Sequence, residues 1–111
     1  MWMVPVEIMC MRHLLGEHNE LHMFAGSIIK KRGLNGFIAA NAVEVSALNE
    51  RHAEVAAEMI KRGYKHNKDL PVMDLSYLPK MVQQYHIDKE VSLDLLLKRC
   101  DLCNERNTTM R

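Results

Sequence analysis

The chain has 111 residues, 48% of them hydrophobic and 26% charged, which is the length of one domain with enough apolar residues to bury a core. Aromatic residues make up 5% while there are 9 methionines, and runs of β-branched or aromatic residues are scarce, which disfavours a β-rich fold. A formal net charge of +1 excludes bulk electrostatic attraction to a polyanion, so any nucleic-acid contact has to come from where the charges sit.

No apolar run approaches the roughly 18 residues of a membrane span. The segment Met1 to Glu7 is apolar but short, without the basic start or small-residue cleavage site of a secretory signal. Three cysteines, an odd number, do not make a secreted disulfide framework. These features point to a cytoplasmic protein.

The first expected helix begins after Pro5 and runs to about Arg32. Met11, Leu14, Leu15, Leu21, Ala25, Ile28 and Ile29 recur at helical spacing as its apolar stripe. Lys30, Lys31 and Arg32 suit the negative end of the helix dipole, and Gly33 is the expected left-handed cap. A second helix is expected from Ser46, as N-cap, to Arg62, with Leu48, Val55, Ala56 and Met59 inward and Gly63 at its end. Asn41 to Glu44 also has capping-box spacing, which leaves the start open by a turn. The segment from Gly63 to Asp88 lacks strong periodicity, and a short helix is expected within it at Asp74 to Leu78. The third helix starts at Asp88 as N-cap, with Leu93, Leu96, Leu97, Cys100 and Cys103 on one face. The expected fold is all-α: three main helices in one compact domain over residues 1–106, a long partly helical loop before the third, and a flexible tail over 107–111.

On the polar side of the first helix, His13, Glu17 and Glu20 lie at i, i+4 and i+7, and so stack on one stripe. A carboxylate beside an imidazole suits general acid/base chemistry, and a solvated helix face carries the same pattern. His18 and His22 have a metal-binding spacing, but no third ligand is specified on that face and His18 falls in the apolar stripe, where a hydrogen-bonded core histidine is expected. Cys100 and Cys103 form a single C-x-x-C, and Cys10 with His13 would complete a three-cysteine, one-histidine zinc site across two helices. Both C-x-x-C thiols fall on the apolar stripe at the far end of a helix, where they pack as small hydrophobes, so no metal and no cofactor is expected. Lys61, Arg62, Lys65, His66 and Lys68 form one basic cluster and Lys30 to Arg32 another; each suits phosphates or complements a helix dipole. Phosphate-loop, dinucleotide, esterase and metalloprotease motifs are all missing.

The stretch His13-Leu14-Leu15-Gly16-Glu17-His18-Asn19-Glu20-Leu21 resembles the active-site helix of the pyrimidine-dimer DNA glycosylase family, the bacteriophage endonuclease V type. The resemblance runs without gaps from Met1 to about Leu21, resumes from Leu48 to Asn67 and returns from Tyr85 to Arg99, about half the chain. It implies a DNA-repair glycosylase/AP lyase acting on double-stranded DNA with pyrimidine dimers or other damaged or modified pyrimidines. In that chemistry the N-terminal α-amine, here that of Met1, attacks the sugar, an imine forms and β-elimination cuts the strand, with Glu20 as the essential carboxylate. Arg12, His13, Asn19 and Arg99 are the implied DNA-binding residues. Asn19 stands where the family has an arginine, and Met23 where it has a second DNA-facing one. The match begins two residues late, with Trp2 after Met1 in place of a small residue, and two extended residues span about 7 Å. The expectation is therefore a monomeric, membrane-free enzyme in the cytoplasm, nucleoid-associated when on DNA, or in the host cytoplasm if phage-encoded. The alternatives are a non-catalytic DNA-binding relative and a small zinc-binding interaction module.

Overall fold

The computed structural model describes residues 1–66 and 68–110. Asn67, at the end of the second resembling tract, and Arg111, the last residue of the expected tail, lie outside them. Among the described residues the regular structure is helical throughout: α1 (Met11–Ile29), α2 (Asn35–Ala39), α3 (Leu48–Lys61), α4 (Lys80–Gln84), α5 (Lys89–Arg99) and α6 (Asp101–Met110), with 3-10 turns at Val6–Ile8 and Val45–Ala47. The all-α reading holds, with the three expected main helices resolved into four longer and two short ones.

The core forms where α1 packs on α3. Leu14, Leu21, Phe24, Ala25 and Ile28 of α1 are buried against Leu48, Val55, Ala56 and Met59 of α3. Burying each large apolar side chain contributes roughly 1.5–3 kcal/mol, so this seam is the principal source of stability. Leu15 and Ile29, expected on the stripe, are exposed, because the buried line runs Leu14, Glu17, Leu21, Phe24, Ile28. The short helix α2 docks through Phe37, whose ring meets Phe24 edge-on at 5.1 Å between centroids.

Helix ends follow local chemistry, with some departures from the sequence reading. Asp88 caps α5 by accepting the Val91 N–H at 3.2 Å. Gly63 ends α3 at φ 89, and the Tyr64 N–H reaches back to the Met59 carbonyl at 2.9 Å. After α1 it is Lys31, at φ 56, that takes the left-handed position rather than Gly33. Ser46 makes no cap; the chain enters α3 through the 3-10 turn. Asn41 and Glu44 cap no helix either: Asn41 Oδ1 accepts the Asp88 N–H at 2.8 Å and Glu44 Oε1 the Ile87 N–H at 2.8 Å, tying the approach to α5 against the approach to α3. The short helix of the long connection lies at Lys80–Gln84, after Pro79, and not at Asp74 to Leu78.

The third expected helix is two. Cys100 has extended geometry (φ −131, ψ 108), which stops α5 and starts α6. α6 packs on the 3-10 turn at Val6–Ile8, so the last helix meets the segment before α1. It continues to Met110, so residues 107–110 of the expected tail are helical, with Thr108 and Thr109 hydroxyls donating to the carbonyls of Asn104 and Glu105.

Candidate active site

The first four residues are strapped down by a buried ion pair. Glu17 occupies a core position of α1 and is 2% exposed, as is Arg51 of α3. A carboxylate in such a place is strongly destabilising unless fully paired. Arg51 Nε donates to Glu17 Oε2 at 2.6 Å and Nη2 to Oε1 at 3.1 Å, a bidentate pair. The pair also grips the strap: Glu17 Oε1 accepts the Trp2 N–H at 3.0 Å, and Arg51 Nη1 donates to the Val4 carbonyl at 2.8 Å. Met3 between them takes a left-handed φ of 57, which turns the chain so that both backbone groups face the pair. On its other side the strap is held by Ser92 of α5, whose hydroxyl donates to the Trp2 carbonyl, and by the Met1 sulfur, which accepts the Glu44 N–H at 3.4 Å.

This strap brings the Met1 α-amine into direct contact with the Glu20 carboxylate, one turn beyond Glu17 on α1. Burial lowers the amine from 8.0 to about 6; the Glu17 charge opposes the shift and Arg51 adds to it. The Glu20 carboxylate in contact with it is the proton acceptor at hand when the amine deprotonates. Glu20 keeps 35% exposure of its side chain, so the pair opens to solvent. It opens into a cavity of about 230 Å³ whose walls include Met1, Trp2, Glu20, Asn41, Ser92 and Arg99. A larger cavity, about 570 Å³, lies between Cys10, Tyr64, Arg62 and Arg106 and includes neither Met1 nor Glu20.

Of the six site residues expected from the sequence, Met1, Glu20 and Arg99 meet at one cavity. Asn19 is exposed on α1 next to Glu20 but does not line the cavity; Arg12 is exposed and also outside the cavity wall. His13 turns elsewhere: its Nδ1 lies 3.3 Å from Cys10 Sγ and 3.7 Å from Cys103 Sγ, with Trp2 edge-on to its ring at 5.9 Å. Its pKa is lowered, by burial first and then by the Arg12 charge. In the basic clusters Lys30, Lys31, Arg32, Lys61, Lys65 and Lys68 are exposed, whereas Arg62 is engaged with Glu58 at 2.7 Å and with the Val6 carbonyl at 3.1 Å.

Sequence reasoning missed Arg51, gave Ser92 no role beyond fitting the resemblance in the third helix, and read Glu17 as part of a polar face. A signal was available: Glu17 sits between Leu14 and Leu21 at core spacing, and Arg51 between Leu48 and Val55, so each helix presents one charge on its buried line. Among the described residues two groups of potential ligands also assemble: Cys10, His13, Cys100 and Cys103, and His18, His22, His52 and His66. Among the described residues no helix is long and apolar enough to cross a membrane.

No curated protein and no solved structure matches the chain. The profile of the pyrimidine dimer DNA glycosylase family matches residues 1–72, a span that holds the strap, Glu17, Glu20 and Arg51. The chain belongs to the pyrimidine dimer DNA glycosylase family.

Proposed function

We propose that this protein is a glycosylase and AP lyase on double-stranded DNA carrying damaged pyrimidines, with the Met1 α-amine as nucleophile and Glu20 as its proton-transfer partner. The observation that carries the reading is the contact of a buried amine, its pKa near 6, with the Glu20 carboxylate at the mouth of a cavity. At neutral pH such an amine is mostly unprotonated and nucleophilic, whereas a lysine needs a much larger shift to compete.

In the proposed sequence the amine attacks the sugar C1′ and the glycosidic C–N bond breaks, the electron pair leaving with the base. Glu20 accepts the ammonium proton and returns a proton to the sugar ring oxygen as the ring opens to the imine. Loss of a C2′ proton then expels the 3′ phosphate by β-elimination. Arg99 on the cavity wall and the exposed lysines at the helix ends are suited to the backbone phosphates.

The test is to incubate the protein with ultraviolet-irradiated and undamaged duplex DNA, and with duplex holding an abasic site in the presence of borohydride. The expected results are nicking of irradiated DNA alone and a covalent adduct that maps to the N-terminal peptide. An adduct on a lysine overturns the assignment of Met1. Tight binding to damaged DNA with neither nicking nor adduct replaces the reading with that of a non-catalytic DNA-binding relative.

A further inference from the structure

The break at Cys100 changes what the C-x-x-C is. Cys100 is the residue before α6 and Cys103 lies in its first turn; Cys10 is the residue before α1 and His13 lies in its first turn. Two helix N-termini thus face each other, each with one ligand before its first residue and one three positions on. The positive end of a helix favours thiolate sulfur. Cys10 Sγ lies 3.8 Å from Cys100 Sγ and 3.3 Å from His13 Nδ1, and Cys103 Sγ lies 3.7 Å from His13 Nδ1. All four ligand atoms fall within 4.8 Å of one another. A tetrahedral zinc with Zn–S near 2.3 Å and Zn–N near 2.05 Å sets S···S at about 3.8 Å and S···N at about 3.6 Å. Backbone donors also reach the sulfurs: the Cys10 N–H reaches Cys103 Sγ at 3.2 Å, and the Cys103 N–H reaches Cys100 Sγ at 3.5 Å. Neutral packed thiols need neither the tetrahedral spacing nor these donors.

We propose that Cys10, His13, Cys100 and Cys103 form a structural zinc site that staples the segment before α1 to the start of α6. Four protein ligands close the coordination sphere, which is the pattern of a structural rather than a catalytic ion, and three sulfurs with one imidazole suit zinc. The staple acts on the cavity from outside: it fixes the far end of the N-terminal segment and the start of α6, directly after Arg99. It does not depend on the proposed reaction.

A separate observation carries a second site. His18 Nε2 is buried without a hydrogen-bond partner. It belongs to a group in which His52 Nε2 lies 3.2 Å from both His22 Nε2 and His66 Nε2. One ring nitrogen has a single in-plane hydrogen or lone pair and satisfies one such neighbour, not two. The four nitrogens lie within 4.8 Å of one another, and a tetrahedral ion with metal–nitrogen bonds of about 2.05 Å places its ligands about 3.3 Å apart. We infer that these four imidazoles hold a second zinc-class divalent ion. His18 and His22 supply the pair on α1, His52 comes from α3, and His66 follows Gly63.

Elemental analysis of the full chain purified without chelator reads both sites, and two zinc ions per chain are expected. Cys100→Ser and His52→Ala should each remove one equivalent, and only the first should abolish thiolate-to-metal charge-transfer absorption in the cobalt-substituted protein. Should a variant fail to fold, the cobalt spectrum and the metal count of the unaltered chain suffice. Charge-transfer bands with two equivalents support both sites, and the same bands with one equivalent overturn the histidine site. One equivalent without the bands overturns the cysteine site. A metal-free protein that takes up no cobalt, or a disulfide between Cys10 and Cys100 in the freshly purified chain, overturns the cysteine site; the first of these overturns both.

Discussion

If the Met1 amine is the nucleophile, the pH at which the reaction switches on is set by its burial. The protein holds the amine at a pKa of about 6 instead of 8.0. Only the neutral form attacks, so the reactive fraction is about nine tenths at pH 7, about half at pH 6 and about one tenth at pH 5. The sign follows from the lowered pKa: activity is lost as pH falls through about 6, whereas an ordinary exposed α-amine loses it about two units higher. Extending the chain by Gly-Ser at its start supplies the complementary perturbation. The new amine leaves the buried position, returns toward 8 and loses contact with Glu20, so at pH 7 protonation alone costs about tenfold and displacement adds to it. The assay is borohydride trapping on an abasic-site duplex between pH 5 and 8.5, with DNA well below saturation so that the free protein's ionisation is read. A midpoint near 8, a flat profile below pH 7, or an extended chain that traps at the native rate refutes the reasoning.

Glu20→Gln keeps the shape of a half-exposed side chain and removes its charge, so strand cleavage should fall by about 10²–10⁴-fold while the melting temperature holds; unchanged cleavage removes Glu20 from the mechanism. Arg51→Met leaves Glu17 buried without its partner and should cost about 3–5 kcal/mol in urea unfolding, a large share of a typical domain's stability. A loss below about 1 kcal/mol would mean that water reaches the pair and that the strap is not anchored as described. Arg99→Ala should weaken binding to all duplexes alike and reduce the salt slope of the affinity by about one, as measured by fluorescence anisotropy. Asp88→Ala removes the cap from α5 and should cost about 1 kcal/mol.

What was legible in the sequence is what local chemistry determines. The Asp88 cap, the Gly63 terminus and the inward line of α3 follow from one residue or one periodicity, and all three appear in the structure. α2 was missed because five residues are too few to show a period. The break at Cys100 was missed because the apolar spacing from Leu93 to Cys103 continues across it, and a single extended residue leaves no trace in such a pattern. That break matters chemically, because it moves the C-x-x-C from the end of one helix to the start of another. Lys31 in the left-handed position costs on the order of 1 kcal/mol, which tertiary packing outweighs, so the nearby Gly33 misleads. Of the candidate site, the family resemblance singles out Met1, Glu20 and Arg99, which the structure brings to one cavity. Glu17 and Arg51 required reading a charge on a core line as a demand for a partner. His52 and His66 come from outside the first helix, and no spacing links them to His18 and His22.

The sequence reading expects the family match to begin two residues late, which poses a question of reach, and the strap bears on it. A terminus is ordinarily the most mobile part of a domain, and a mobile nucleophile loses the advantage of proximity. Here the Trp2 N–H goes to Glu17, the Trp2 carbonyl to Ser92 and the Val4 carbonyl to Arg51, so the backbone on both sides of Met3 is fixed before any substrate arrives. The reversal at Met3 shortens the path, and Glu20 lies three residues beyond Glu17, nearly one helical turn away on the same side of α1. The carboxylate that anchors the strap and the one that meets the amine are therefore neighbours on one rigid helix, and the distance between anchor and amine is set by helix geometry. This division explains why two glutamates in one short stretch have opposite environments. Glu17 is buried, permanently paired and suited only to positioning. Glu20 is open to solvent and free to exchange a proton with the group that touches it.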